Sequence, residues 1–102
     1  MQFLALQLFH PPMNVPQFPR GGFRKDLKKI AKRRLDRDAL DAVVGLLCER
    51  AALPAHCRPH KLAGEWLGYW ECHIAPNWLL IYKVTEHTVR LARTGSHSDL
   101  FD

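Results

Sequence analysis

The stretch Tyr69–Val84, YWECHIAPNWLLIYKV, decides the fold. From Tyr69 to Ala75 it alternates. Trp70, Cys72 and Ile74 fall on one side of an extended chain, and Glu71, His73 and Ala75 on the other. Pro76-Asn77 is a turn dipeptide. Trp78–Val84 is apolar and rich in aromatic and branched residues, the composition of a buried central strand. A third strand is predicted over Thr88–Thr94, with Gly95 breaking it, so this half of the chain reads as an antiparallel meander.

Upstream the period changes to that of a helix. Phe23, Leu27, Ile30 and Ala31 stand at i, i+4, i+7 and i+8 and form one apolar stripe, which predicts a helix over Phe23–Arg34. Asp36 is the natural N-cap of a second helix, Arg37–Arg50, whose stripe is Leu40, Val43, Val44 and Leu47. Leu53-Pro54 ends the pair. Two helices followed by a meander indicate an α+β domain, with two N-terminal helices packed on an antiparallel sheet of about four strands. Before them, Met1–Phe9 is apolar enough for a strand. His10–Gly22, with Pro11, Pro12, Pro16, Pro19, Gly21 and Gly22, reads as a loop or arm. The expected division is therefore an arm, or first strand plus Pro-rich loop, over residues 1–22 and one folded domain over residues 23–102.

At 102 residues the chain has room for one domain. Its net charge of +5 favours an anionic partner without choosing among RNA, DNA, acidic protein and lipid. Seven Lys and Arg crowd Arg24–Arg34 against the single acid Asp26. By default such a run is a solvated face, and Lys28 and Lys29 are candidates for contact with RNA or an acidic partner. Cys48, Cys57 and Cys72 are odd in number and form no C-x-x-C pair, which argues against a disulfide framework and for a reducing cytoplasm. No run reaches the length of a membrane span, and the first residues lack the basic region and cleavage site of a signal peptide.

Six histidines are many for this length. His60, His73 and His97 lie on or beside the sheet segments, and Arg93 precedes His97 by four residues. If the strands pair as a meander, these groups converge on one open sheet face. Such a set suits metal-free phosphodiester cleavage, which needs a base for the ribose 2′-OH, an acid for the leaving 5′-oxygen and a cation on the phosphorane. The plainer reading makes each histidine a surface residue, and Trp66, Trp70 and Trp78 core or rim aromatics. A zinc site from His60, Cys72, His73 and His97 matches no structural zinc spacing, and neighbouring strand residues Cys72 and His73 point to opposite faces.

The segments HKLAGEWLGYWECHIAPNWLLIYK and RLARTGSHSDLF, with the helix opening FRKDLKK, resemble the YafQ-like branch of RelE-type toxins. That branch carries the pattern H-P-L-x-G-x-W-x-G-x-R-[DE]-x-H-[IV]-x-P-D-W-[IL]-L-I-Y-K, then R-T-G-[ST]-H-x-x-L-F. The resemblance spans roughly residues 23–101. It implies a curved, microbial-ribonuclease-like sheet with two helices. It implies the toxin of a type II toxin–antitoxin system, acting as a ribosome-dependent endoribonuclease that needs no metal or other cofactor. The implied partners are a cognate antitoxin, mRNA in the ribosomal A site and rRNA, with operator DNA reached only through the antitoxin and no membrane. The family's functional positions fall on His60, His73, Asn77, Arg93 and His97 for catalysis, and on Trp78 and Phe101 for substrate binding.

Three positions depart from the pattern. Asn77 stands for an aspartate, Trp70 for an arginine and Lys61 for a proline. Asn keeps the shape of Asp but neither its charge nor its proton affinity. Two functions therefore compete: an mRNA endoribonuclease, and a weakened or inactive homologue that binds antitoxin, operator DNA or ribosome without cutting. A generic basic RNA-binding module leaves the clustered histidines unexplained.

Overall fold

Two strands joined by the Pro76-Asn77 turn form the centre of the molecule. The computed structural model describes residues 14–18 and 21–102. The elements are β1 (Val15–Gln17), α1 (Gly22–Lys32), α2 (Arg37–Cys48), β2 (His60–Lys61), β3 (Trp70–Ala75), β4 (Trp78–Val84), β5 (Thr88–Gly95) and α3 (His97–Phe101). Single 3-10 turns lie at Ala55–Cys57 and Gly64–Trp66. The sheet order is β1-β5-β4-β3-β2, with β2 to β5 antiparallel and β1 parallel to β5. Among the described residues, no helix is long and apolar enough to cross a membrane.

The core lies between one sheet face and the two long helices. Cys72, Ile74, Trp78, Leu80, Tyr82, Val89 and Leu91 project from the sheet onto Phe23 and Ile30 of α1 and Leu40, Val43 and Leu47 of α2. These helix residues belong to the apolar stripes read from sequence, of which Ala31 is exposed. Emptying a buried aromatic position such as Phe23 costs about 3–5 kcal/mol. The Asp36 side chain accepts the Asp38 N–H, as an N-cap should.

Three features differ from the sequence reading. Val15–Gln17, inside the segment expected to be a Pro-rich loop, is a strand. Pro16 is compatible with it because β1 is, among the described residues, an edge strand that pairs on one side only. Among the described residues the sheet thus has five strands and is mixed, where about four antiparallel ones were expected. A third helix, α3, follows β5; Ser96 and Asp99 close it with a reciprocal capping box. The strand expected over Met1–Phe9 lies outside the described residues.

Candidate active site

The strand register assembles the site. His60 of β2 pairs with Glu71 of β3, Glu71 with Ile81 of β4, and Ile81 with Arg93 of β5, so these four form one cross-strand row. In the next row His73 pairs with Leu79, and Leu79 with Gly95. Both rows lie on the sheet face turned away from α1 and α2, because Cys72 and Leu80, in the row between them, face the helices. His97 opens α3 two residues beyond Gly95.

Arg93 reaches this face through a β-bulge. Strict alternation from Val89 and Leu91 would send residue 93 into the helix-facing core. The register slips between Ile81 and Tyr82, so that Tyr82 pairs with Leu91 and Ile81 with Arg93, leaving Ala92 as the extra residue. One inserted residue exchanges the two faces downstream of it. Thr94 is thereby turned inward. Its hydroxyl donates to Leu79 O at 2.7 Å and accepts the Trp78 indole N–H at 2.9 Å.

Arg93 is 29% exposed and is held by Asp26 of α1. Nε donates to Oδ2 at 2.7 Å and Nη2 to Oδ1 at 3.1 Å. Oδ2 also accepts the Thr94 N–H at 3.0 Å, on the edge of β5 that no strand among the described residues covers at that point. The carboxylate partner keeps the Arg93 guanidinium protonated beyond its already high range, with burial opposing. Asp26 itself is 3% exposed.

The histidines differ in setting. His60 is half exposed, with Nε2 3.5 Å from Oε1 of the buried Glu71 and Nδ1 3.2 Å from Arg58 O. His73 is partly buried; its Nδ1 is enclosed and has no partner among the described residues. A depression of about 280 Å³ beside it is lined by His56, Arg58, His73, Ala75 and Pro76. His97 is exposed and lies 5.0 Å, centroid to centroid, from the half-exposed ring of Phe101 one helical turn on.

Asn77 is exposed in the β3–β4 turn. It lines a different depression, of about 260 Å³, with Arg33, Leu35, Trp78 and Ser96. It therefore stands beside the backbone that leads into His97, not beside His73. Asp99 of α3 is fixed by Arg33 at 2.6 Å and by the Ser96 N–H at 2.9 Å, and these partners hold its carboxyl well below the usual carboxylate range.

One expectation is overturned. Trp78, assigned above to substrate binding, is 3% exposed with its N–H committed to Thr94, so it supports the sheet and offers no face for stacking a base. Trp70, the aromatic departure from the pattern, pairs with Tyr82 and lines an apolar groove with Leu47, Leu53 and Val84. It is on the helix side of the sheet, away from the histidine rows. Lys28 and Lys29 are both exposed on α1. Asp26 and Glu71 were not singled out from sequence as site residues. The available signal for Asp26 was its position as the lone acid in a basic helix. For Glu71 it was alternation that placed it on the His73 face.

A β-hairpin-centred sheet carrying histidines and an arginine on one face, backed by two helices, is the arrangement that the resemblance to RelE-type toxins implies. Residues 17–102 match the family model described as "Bacterial toxin of type II toxin-antitoxin system, YafQ", and the chain belongs to that family. The match begins ahead of Phe23, within β1. Over 82 residues the chain is 42% identical to the mRNA interferase toxin YafQ of Escherichia coli K12, covering 79% of this chain and 89% of that one. The crystal structure of YafQ from E. coli BL21(DE3) superposes with a TM-score of 0.81 at 37% identity, covering 87% of this chain and 99% of that one. The toxin in the crystal structure of the E. coli DinJ-YafQ toxin-antitoxin complex gives 0.80 at 37% identity, with 88% and 99% covered.

Proposed function

We propose that this chain is an mRNA endoribonuclease that works on the ribosome, in the cytoplasm, and is silenced by a cognate antitoxin. The observation that carries the proposal is the row His60–Glu71–Ile81–Arg93 with His73 in the next row and His97 beyond Gly95. A base among His60 and His73 removes the ribose 2′-OH proton. The 2′-oxygen attacks the adjacent phosphorus, the P–O5′ bond breaks, and His97 protonates the departing 5′-oxygen. A 2′,3′-cyclic phosphate and a 5′-hydroxyl result. Arg93 holds the phosphate as its charge grows, and Phe101 with His97 offers a platform for a base. The acid and base steps each supply about 10²- to 10⁴-fold. Operator DNA is reached only through the antitoxin.

The second reading, binding without cleavage, rests on Asn77, which brings no charge to the depression beside Ser96. Trp70 does not add to it, because its side chain is on the helix side. The test is cleavage of one mRNA free and in the ribosomal A site. The chain has little surface with which to order a flexible strand, so the ribosome must supply the positioning. Efficient cutting on the ribosome and almost none of free RNA is expected, with 5′ ends in cells appearing on induction and vanishing when the neighbouring antitoxin gene is co-expressed. Equal cutting of both RNAs would refute ribosome dependence, and no cutting of either would favour the binding-only reading.

A further inference from the structure

We infer that Asp26 is a positioning residue that holds Arg93 with its end-on fork free for the scissile phosphate. The inference rests on the reading above in which Arg93 binds that phosphate. A guanidinium has five N–H donors in a fixed plane. Asp26 takes the side-on pair, Nε–H and one Nη2–H, at 2.7 and 3.1 Å. The three that remain are both hydrogens of Nη1 and the second of Nη2. None of them has an acceptor among the described residues. One hydrogen of Nη1 and the free hydrogen of Nη2 run parallel and form the pair that matches two phosphate oxygens.

Asp26 is well built for this purpose. Its Oδ2 also accepts the Thr94 N–H at 3.0 Å, so the carboxylate is referenced to the backbone of the residue next to the arginine it holds. It is almost fully buried and cannot swing away with the surface. Gly22, one turn earlier on α1, completes the seat. A Cβ there would stand 2.6 Å from Arg93 Cδ and 3.1 Å from Nε, so glycine leaves the room that the arginine stem fills. The arginine thus arrives at the open face with its rotamers already chosen.

Two effects of the carboxylate oppose each other. Its charge offsets part of the guanidinium charge and weakens the pull on phosphate. Its geometry removes the cost of ordering a long side chain during the reaction. The inference requires geometry to dominate, which makes the sign of the mutational effect decisive.

The experiment is single-turnover cleavage of ribosome-bound mRNA by wild type, Asp26→Asn, Arg93→Ala and the double variant, with melting curves for each. Asp26→Asn keeps an oxygen for the Thr94 N–H and loses the charge. It is expected to slow cleavage at least about tenfold when Arg93 is present, and less than about twofold when Arg93 is already alanine. A rate that is unchanged or raised in the Arg93 protein overturns the inference, as does an equal fall in both backgrounds. Wild-type cleavage by Arg93→Ala would instead overturn the assignment of Arg93 to the phosphate. If Asp26→Asn does not fold, Gly22→Ala decides. It leaves the carboxylate in place and displaces the arginine, so a folded protein with about tenfold slower cleavage supports the inference and full activity sinks it.

Discussion

At the scale of single residues, the proposed site can be tested through the charge placed near each histidine. Asn77 lines the depression that ends at Ser96, next to His97. A carboxylate at 77, as in the family pattern, would favour the protonated form of a histidine close to it. Asn77→Asp is therefore expected to speed ribosomal cleavage by roughly tenfold, about 1.4 kcal/mol in barrier. The limb of the pH–rate profile that reports the acid should move to higher pH with it. An unshifted profile with an unchanged rate would show that residue 77 does not speak to His97. Asp99 makes a separate claim on pH. Arg33 and Ser96 depress its pKa in the folded state, so it contributes stability that is complete above the unfolded value near 3.9 and fades as pH falls below it. Arg33 is half exposed and screened, so the effect is modest. Acid unfolding of Asp99→Asn should show a flatter stability–pH curve below about pH 4 than wild type. Parallel curves would show that the capping box, not the charge, holds α3.

At the scale of elements, the helix ends carry a testable strain. Both long helices finish with an arginine in the left-handed region, Arg34 at φ 56° and Arg50 at φ 58°. The bonds Leu35 N–H to Ile30 O and Ala51 N–H to Leu46 O close each end in a Schellman pattern. A non-glycine residue there costs about 1 kcal/mol. Arg34 is exposed and makes no side-chain hydrogen bond among the described residues, so Arg34→Gly should stabilise the fold by about 0.5–1 kcal/mol. Arg50→Gly should not, because Arg50 bonds Asn14 Oδ1 at 3.2 Å and the carbonyl of Glu86, tying α2 to β1 and the β4–β5 turn. Denaturant midpoints that rise for Arg34→Gly and fall for Arg50→Gly are expected; the reverse order would remove both arguments. These arginines also explain what sequence could and could not reveal. The apolar stripes and the Asp36 cap locate both helices, but with no glycine to mark a C-cap each was read two residues too long. Alternation and the Pro76-Asn77 turn locate β3 and β4. The Ala92 bulge has no local signature, and without it alternation assigns Arg93 to the wrong face. The Asp26–Arg93 pair joins positions 67 residues apart, which no local pattern reports. Pro16 conceals β1, because a proline is compatible with an edge strand yet reads as a breaker. The histidines and Arg93 were legible as a set through the family motif, whereas their rows required the register.

At the scale of the whole molecule, the basic helix is not uniformly disposed toward the site. Asp26 fixes one face of α1 against β5, and Arg33 meets Asp99 of α3 on that same side. At 3.6 residues per turn, Gly22, Lys29 and Arg33 fall within about 60° of Asp26, while Lys28 is about 160° around. Lys29 therefore borders the edge that leads to Arg93, and Lys28 faces away. If the net charge of +5 serves to hold the RNA strand over the histidine rows, the two lysines must differ. Lys29→Glu should weaken association with the ribosome–mRNA complex several-fold at low salt, and should reduce the slope of log K against log salt by about one. Lys28→Glu, the same change in net charge, should have a clearly smaller effect on both. The comparison matters because a long-range field would treat the two alike: beyond about 10 Å at 0.1 M salt, exposed charges are largely screened, and only a charge at the strand's path keeps its contact. Equal losses for the two variants would assign α1 to general electrostatic steering. No loss for either would return it to a solvated face and leave Arg93 as the cation that meets the RNA.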